Sequence, residues 1–178
     1  MVNRRGFIKG AACACAGAAA LRATAGFANI AASRSLSFVH THTGESLTTT
    51  YWRDGRYQAH GLAQVNRLLR DFRTDQVHAI DPALLDVLYD LQTLTGTDQP
   101  FQVISGYRSP RTNEMLRENS DGVAQHSMHL VGKAIDIRLD AFPTRRLGDL
   151  ARSLGRGGVG FYQRSDFVHV DTGRVRYW

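Results

Sequence analysis

Cysteine is almost absent from this chain, and its scarcity limits the chemistry available. The 178 residues include only two cysteines, Cys13 and Cys15, and both lie in an N-terminal segment that is predicted to be removed. The remaining chain then has no thiol, so disulfides and cysteine-ligated zinc are both excluded. A lipid anchor on Cys13 is not expected either, because residues 10–12 lack the branched apolar residue that usually precedes a modified cysteine.

Long hydrophobic runs are also lacking. The apolar, alanine-rich stretch at residues 10–21 is shorter than the ~20 residues needed to cross a bilayer. It follows the paired arginines Arg4 and Arg5 and precedes a small-x-small cleavage site at residues 23–25. This order predicts a twin-arginine signal peptide over residues 1–25, with the twin-arginine translocase as a partner during export and the periplasm as the destination.

A strong charge of one sign is missing once that segment is set aside. The formal charge of +6 falls to +2 because residues 1–25 carry four cations and no acid. The mature chain has no basic stripe and no aromatic-basic motif, so a nucleic-acid partner is not expected. Its length of about 150 residues suits one domain with one core.

The mature chain shows both strand and helix signals. Residues 26–34 have no clear period and predict a flexible arm, followed by one domain at 35–178. Residues 36–42 and 47–52 predict a β-hairpin, with His40 and His42 on an exposed strand face. Helical spacing predicts a helix near residues 62–72, and a second one has Asp81 as N-cap, Gly96 as its end, and a buried stripe at four leucines, Leu84, Leu88, Leu91 and Leu94. We therefore expect an α+β fold, a small antiparallel sheet packed with helices.

Two predicted strands place metal-binding residue types on one sheet face. Aliphatic residues alternate with Asp136 at 135–139 and with His169 at 167–171. If these strands are antiparallel neighbours, Asp136 and His169 meet, and His129 folds over from the loop before Gly132. Two imidazoles and one carboxylate suit one zinc ion and leave a fourth position open, as catalytic zinc sites do. The simpler interpretation is a solvated loop histidine and a salt bridge at a strand end.

Three motifs carry a family resemblance: SGYRS at 105–109, SMHLVGKAID at 127–136 and DFVHVD at 166–171. In this order they resemble the M15 zinc peptidases, which are related to D-Ala-D-Ala dipeptidases and carboxypeptidases and share the hedgehog-like peptidase fold. The likeness extends over nearly the whole mature chain to the murein endopeptidase K-like family. It implies a sheet that carries a zinc site, with one zinc per chain held by His129, Asp136 and His169.

The resemblance also implies roles for other residues. Asp166 corresponds to the general base and Arg108 to the arginine that polarises the substrate. Apart from the resemblance, Ser127, His126 and Tyr107 are assigned to substrate binding or support, although His126 matches no family role. Strand parity places Asp166 on the face opposite His169, so Asp171 is an alternative base or a partner that orients an imidazole.

The implied function is a periplasmic murein endopeptidase that hydrolyses peptide cross-links of peptidoglycan, with stem peptides as substrate. Two alternatives stay open. One is a D,D- or L,D-carboxypeptidase or dipeptidase acting on stem peptides. The other is a catalytically inactive, zinc-containing wall-binding module, which would have no need to keep both Asp166 and Arg108.

Overall fold

A computed structural model describes residues 33–119 and 122–178. The predicted signal peptide, including Arg4 and Arg5, lies outside the described residues, and so does most of the predicted arm at 26–34. Within the described part of the chain, no helix is both long enough and apolar enough to cross a membrane.

The described part of the chain begins with a β-hairpin, as the sequence predicts, but the hairpin starts earlier than expected. Strand β1 is Ser33–His40, β2 is Ser46–Arg53, and the short β3 is Arg56–Tyr57. The prediction of an arm is therefore wrong for Ser33 and Arg34, which pair with β2. Arg34 is fixed there because its guanidinium forms a 2.8 Å ion pair with Asp86 and lies over the Trp52 ring.

The expected exposed face at His40 is also wrong. His40 is fully buried and its ring meets the edge of Phe72 at a centroid distance of 5.4 Å. His42 follows β1 in the turn and stacks on the same phenylalanine at 4.4 Å. The two histidines therefore pack around Phe72.

The described residues form four α-helices: α1 Ala59–Leu68, α2 Pro82–Thr95, α3 Pro110–Asn119 and α4 Thr144–Leu154. Helix α1 begins three residues earlier than predicted and ends at Leu68, because the chain leaves the helix there and turns at Asp71. The predicted ends of α2 are confirmed, with the Asp81 carboxylate accepting from the Ala83 amide and Gly96 in the left-handed conformation. Its leucine stripe is buried except for Leu94, which is 47% exposed because it lies at the last turn.

Among the described residues, eight strands form one sheet in the order β3-β2-β1-β4-β5-β7-β6-β8. The remaining strands are β4 Phe101–Ser105, β5 Ala134–Arg138, β6 Gly158–Tyr162, β7 Phe167–Asp171 and β8 Arg176–Tyr177. The α+β class is confirmed, but the sheet is neither small nor wholly antiparallel. The β1–β4 and β6–β8 pairs are parallel, and the β1–β4 connection runs through α1 and α2 instead of a hairpin.

The core lies on one face of this sheet. Ile135 and Ile137 of β5 and Val168 of β7 are fully buried in a cluster that includes the α2 leucines and Leu147 of α4. Because side chains alternate across a strand, the residues between them, Asp136 and His169, lie on the opposite face. The hydrophobic pattern thus fixes which face carries the polar site.

Candidate metal centre

Strand register brings two of the predicted ligands together. β5 and β7 are antiparallel neighbours, and Asp136 lies directly opposite His169. The Asp136 Oδ1 atom is 2.9 Å from His169 Nδ1. This is the arrangement that the alternating pattern predicts.

His129 reaches the pair from a 3₁₀ turn, Met128–Val131. Its Nε2 atom is 3.2 Å from Asp136 Oδ1 and 3.2 Å from His169 Nδ1. The Ser127 hydroxyl caps the turn by accepting from the His129 amide. Gly132 ends it at φ 65°, and a Cβ there would lie 2.2 Å from the Ala79 carbonyl oxygen, so only glycine fits. All three ligand atoms lie within 4.8 Å of one another and the three residues are buried.

Hydrogen bonds on the far side of each ring select its tautomer. The Gly106 carbonyl lies 2.7 Å from His129 Nδ1 and can only accept, so Nδ1 carries the proton. The Asp171 carboxylate lies 3.0 Å from His169 Nε2 and likewise accepts. When both rings are neutral, His129 Nε2 and His169 Nδ1 present lone pairs toward Asp136 Oδ1. Three acceptor atoms without a donor between them fit a cation, and this donor set fits zinc.

The electrostatic environment acts differently on the three ligands. Burial lowers the pKa of His129. Burial on its own would raise the pKa of Asp136, but the two histidines and Arg108 outweigh it and hold that pKa well below its ordinary range. Burial would lower the pKa of His169, but hydrogen bonds to Asp136 and Asp171 raise it. A metal ion therefore competes with a proton at His169.

Arg108 contacts the same carboxylate from the SGYRS loop. Its Nε atom donates to the Ser105 hydroxyl at 2.8 Å, and an NH2 group forms a short ion pair with Asp136 Oδ2. The loop is held by Asp71, whose carboxylate accepts from the Ser109 amide at 2.9 Å and the Ser109 hydroxyl at 2.6 Å. Arg108 is therefore placed at the centre with a defined orientation.

A cavity of about 450 Å³ opens above the three ligands. Arg108, His126 and Ser127 line one part of it. An aromatic wall, defined as Tyr162, Phe167 and Trp178, lines another part. Tyr162 stacks on Phe167 at 4.5 Å and accepts a hydrogen bond from Trp178 Nε1 at 2.9 Å. The cavity thus presents the Arg108 guanidinium, neutral polar groups and an apolar wall to a ligand.

Two predicted site residues do not join this cavity. Asp166 has a left-handed backbone with φ 49°, its side chain is 64% exposed, and its carboxylate lies 4.0 Å from Arg138 in a separate depression. Its neighbours Ser165 and Phe167 do line the cavity. The Tyr107 ring stacks on His78 at 4.6 Å, outside the cavity wall. For Asp166, the left-handed backbone turns the side chain away from the cavity, and the motif does not encode that conformation.

Sequence reasoning missed Arg176 and Trp178, which also line the cavity. Trp178 lies 5.3 Å from the His169 ring. The available signal was their two-residue spacing. Strand β8 ends at Tyr177, but the Trp178 amide donates to the Val159 carbonyl and its carbonyl accepts from the Phe161 amide, so the alternation of strand faces continues to Trp178.

Comparisons with known proteins identify the family. A family model described as peptidoglycan L,D-endopeptidase MepK matches residues 28–178. The chain belongs to this family, Peptidase_M15_2. The match confirms the M15-type, murein endopeptidase K-like family that the three sequence motifs predict.

Relatives and one solved structure extend this comparison. The peptidoglycan L,D-endopeptidase MepK of Escherichia coli (strain K12) is 44% identical over 163 residues, covering 90% of this chain and 89% of that protein. The probable peptidoglycan L,D-endopeptidase MepK of Haemophilus influenzae is 44% identical over 146 residues, covering 82% and 78%. The solved structure of the Serratia marcescens L-Ala D-Glu endopeptidase ChiX is similar with a TM-score of 0.34 and 21% sequence identity. The similarity covers 43% of this chain and 62% of the ChiX chain, less than two thirds of the length of ChiX.

Proposed function

We propose that this protein is a zinc-dependent peptidoglycan endopeptidase that hydrolyses peptide cross-links in the periplasm after twin-arginine export. Family membership and relatives named as peptidoglycan L,D-endopeptidases support the substrate class and the reaction. The observation that carries the zinc part is the convergence of three buried acceptor atoms, with both histidine tautomers selected from behind.

The proposed ligands are His129 Nε2, Asp136 Oδ1 and His169 Nδ1. Zinc held there would polarise a substrate carbonyl and make water more acidic. Because two neutral imidazoles and one carboxylate leave a bound divalent ion with a net positive charge, this donor set favours that chemistry.

Arg108 supplies a permanent positive charge in the cavity wall. Its guanidinium is held by Ser105 and by Asp136 Oδ2, the oxygen that faces away from the two histidines. We assign Arg108 two roles. It orients the carboxylate of Asp136, the proposed metal ligand, and it stabilises the oxyanion that develops on the scissile carbonyl. Ser127 supports His129, and His126 faces the substrate.

The proton acceptor is the point at which resemblance and geometry differ. We propose Asp166, which requires its carboxylate to leave Arg138 and turn toward the cavity that Ser165 and Phe167 already line. The 4.0 Å contact with Arg138 is between exposed groups, so breaking it costs little. His126 is the second candidate because its imidazole already lines the cavity. Asp171 is not proposed, because it is fully buried behind His169.

The aromatic wall is proposed to hold apolar parts of the stem peptide beside the scissile bond. Stem peptides combine hydrocarbon side chains with carboxylates, so a cavity with an apolar wall and a guanidinium complements both. A carboxypeptidase acting on stem peptides would use the same wall, and the fragments it releases distinguish the two activities.

Digestion of purified sacculi by the zinc-loaded protein, with mass spectrometry of the released fragments, tests this proposal. We expect cross-linked muropeptides to be cut into unlinked stem peptides. Asp166→Ala should keep its zinc and lose about 10² to 10⁴-fold in rate, as removal of a general base does. Asp140→Ala is a matched control, because Asp140 is exposed and borders the same depression as Asp166.

Other results would change the assignment. If Asp166→Ala cleaves like the parent while His126→Ala does not, His126 is the base. Release of terminal amino acids alone would establish the carboxypeptidase. Sacculus binding without any released fragment would establish the wall-binding module.

A further inference from the structure

The last strand of the sheet brings an arginine to the back of the metal centre. β8 pairs in parallel with β6, with Arg176 opposite Gly158. The Arg176 guanidinium meets the Asp171 carboxylate as a fork, with Nη1 3.1 Å from Oδ1 and Nη2 2.6 Å from Oδ2. Such paired bonds fix the plane of a carboxylate, which a lysine ammonium does not do.

Asp171 has no capacity left for another partner. It is fully buried, and its Oδ1 atom also accepts from the amides of Gly158 at 3.1 Å and Gly173 at 2.8 Å. Its Oδ2 atom accepts from Arg176 and from His169 Nε2 at 3.0 Å. The close approach depends on glycine at both positions, since a Cβ on Gly158 or Gly173 would lie within 3 Å of an Asp171 carboxylate oxygen. The carboxylate therefore has one position only, and that position aims Oδ2 at His169.

We propose that Arg176 is a positioning residue of the metal centre: through Asp171 it holds His169 with the proton on Nε2 and Nδ1 free to bind the ion. The inference rests on the metal site of the proposed function and adds a residue to it. In a buried carboxylate–imidazole pair, the orientation of the carboxylate decides which ring nitrogen is a donor. Loss of the fork would let Asp171 rotate and let His169 populate the other tautomer.

Arg176 also lines the cavity, so a direct role in binding a substrate carboxylate is the competing explanation. Its hydrogen-bonding groups argue against that role. Nη2 donates to Asp171, Nη1 donates to Asp171 and to the Arg174 carbonyl at 3.1 Å, and the guanidinium lies over the Trp178 ring at 5.0 Å. Three of its five N–H groups are thus engaged, two of them by the buried Asp171 carboxylate, so at most two are left for a substrate.

Zinc affinity of the metal-depleted protein, measured by competition with a chromogenic chelator, tests the proposal. Partners of metal-binding histidines typically contribute 10- to 100-fold to metal affinity, so we expect about 100-fold weaker binding for Asp171→Asn and about 10-fold for Arg176→Gln. Arg176→Lys should fall between Arg176→Gln and the parent. Arg174→Gln is the matched control, an exposed arginine in the same segment, and should bind zinc like the parent.

Two further measurements separate positioning from substrate binding. Nitrogen-15 NMR of the metal-free protein, at a pH high enough for the His169 ring to be neutral, should show His169 protonated at Nε2 in the parent and a mixture of tautomers in Arg176→Gln. The double variant Asp171→Asn, Arg176→Gln should bind zinc no more weakly than Asp171→Asn alone, because both changes act on one chain of contacts. With zinc saturating, KM for muropeptides should stay within about twofold of the parent value.

The proposal is overturned if Arg176→Gln leaves zinc affinity and the His169 tautomer unchanged and instead raises KM, or if the two changes are additive. If Arg176→Gln does not fold, Arg176→Lys and Asp171→Asn carry the same comparison. Absence of zinc binding in the parent would overturn the proposed function instead. The tautomer measurement in the metal-free protein would still decide the role of Arg176.

Discussion

Replacing Asp71 by Asn should destabilise the fold by loosening the loop that carries Arg108. The Asp71 side chain is 2% exposed. One carboxylate oxygen accepts from the amide and hydroxyl of Ser109, and the other accepts from the Arg73 amide at 3.0 Å. An asparagine of the same shape turns its NH2 group toward one of these donors, whichever way it is placed. One buried donor is then left without an acceptor, which typically costs about 1–3 kcal/mol.

The pKa of Asp71 gives a second measure of the same effect. Burial alone would raise this pKa, but hydrogen bonds from Ser109, Thr112 and Arg73 outweigh it and lower it from 3.8 to about 2. That difference corresponds to roughly 2.5 kcal/mol. Because the loop lies near solvent, we reduce the expected loss to about 1–2 kcal/mol.

The contribution of Asp71 should depend on pH in a defined direction. A carboxyl with a depressed folded-state pKa stabilises the fold fully above its unfolded pKa, and the effect is lost as the pH falls from about 4 through about 2. Urea unfolding of parent and Asp71→Asn at pH 7 and at steps down to pH 3 measures it. Asp75→Asn is the matched control, since the Asp75 side chain is 63% exposed. Equal stability of parent and Asp71→Asn at pH 7, or a difference that does not shrink toward pH 3, would refute the reasoning.

Two further predictions concern the aromatic wall and export. Gly160→Ala places a Cβ within 3 Å of the Trp178 ring, so it should displace that ring at a cost of about 1–3 kcal/mol. Trp178 fluorescence in a Trp52→Phe background should change, and an unchanged spectrum with unchanged stability would contradict the packing. Replacing Arg4 and Arg5 together by Lys should leave unprocessed precursor in the cytoplasm, since the export route requires the arginine pair. Mature periplasmic protein from that variant would exclude the twin-arginine assignment.

The sequence predicted the part of the site that depends on strand parity. Alternation around Asp136 and His169 assigns both residues to one sheet face, and the observed register joins them. The ends of α2 could also be predicted, because Asp81 and Gly96 cap the helix through bonds to residues only a few positions away. These features follow from local periodicity and local backbone chemistry.

Features that depend on distant chain segments could not be read in this way. The β1–β4 pairing joins Phe38 to Phe101 across two helices, and no local pattern specifies it. The direction of the Asp166 side chain depends on one left-handed residue. The contact between Arg176 and Asp171 depends on the pairing of β8 with β6, which the sequence around Arg176 does not predict.

The central claim is that His129, Asp136 and His169 hold one zinc ion. A crystal structure of the zinc-loaded protein, with anomalous data collected on both sides of the zinc absorption edge, tests it most directly. The account predicts one zinc peak per chain, within bonding distance of His129 Nε2, Asp136 Oδ1 and His169 Nδ1. The Asp171 carboxylate should still accept a hydrogen bond from His169 Nε2. A peak bound elsewhere, or none between these three atoms at full zinc loading, would contradict it.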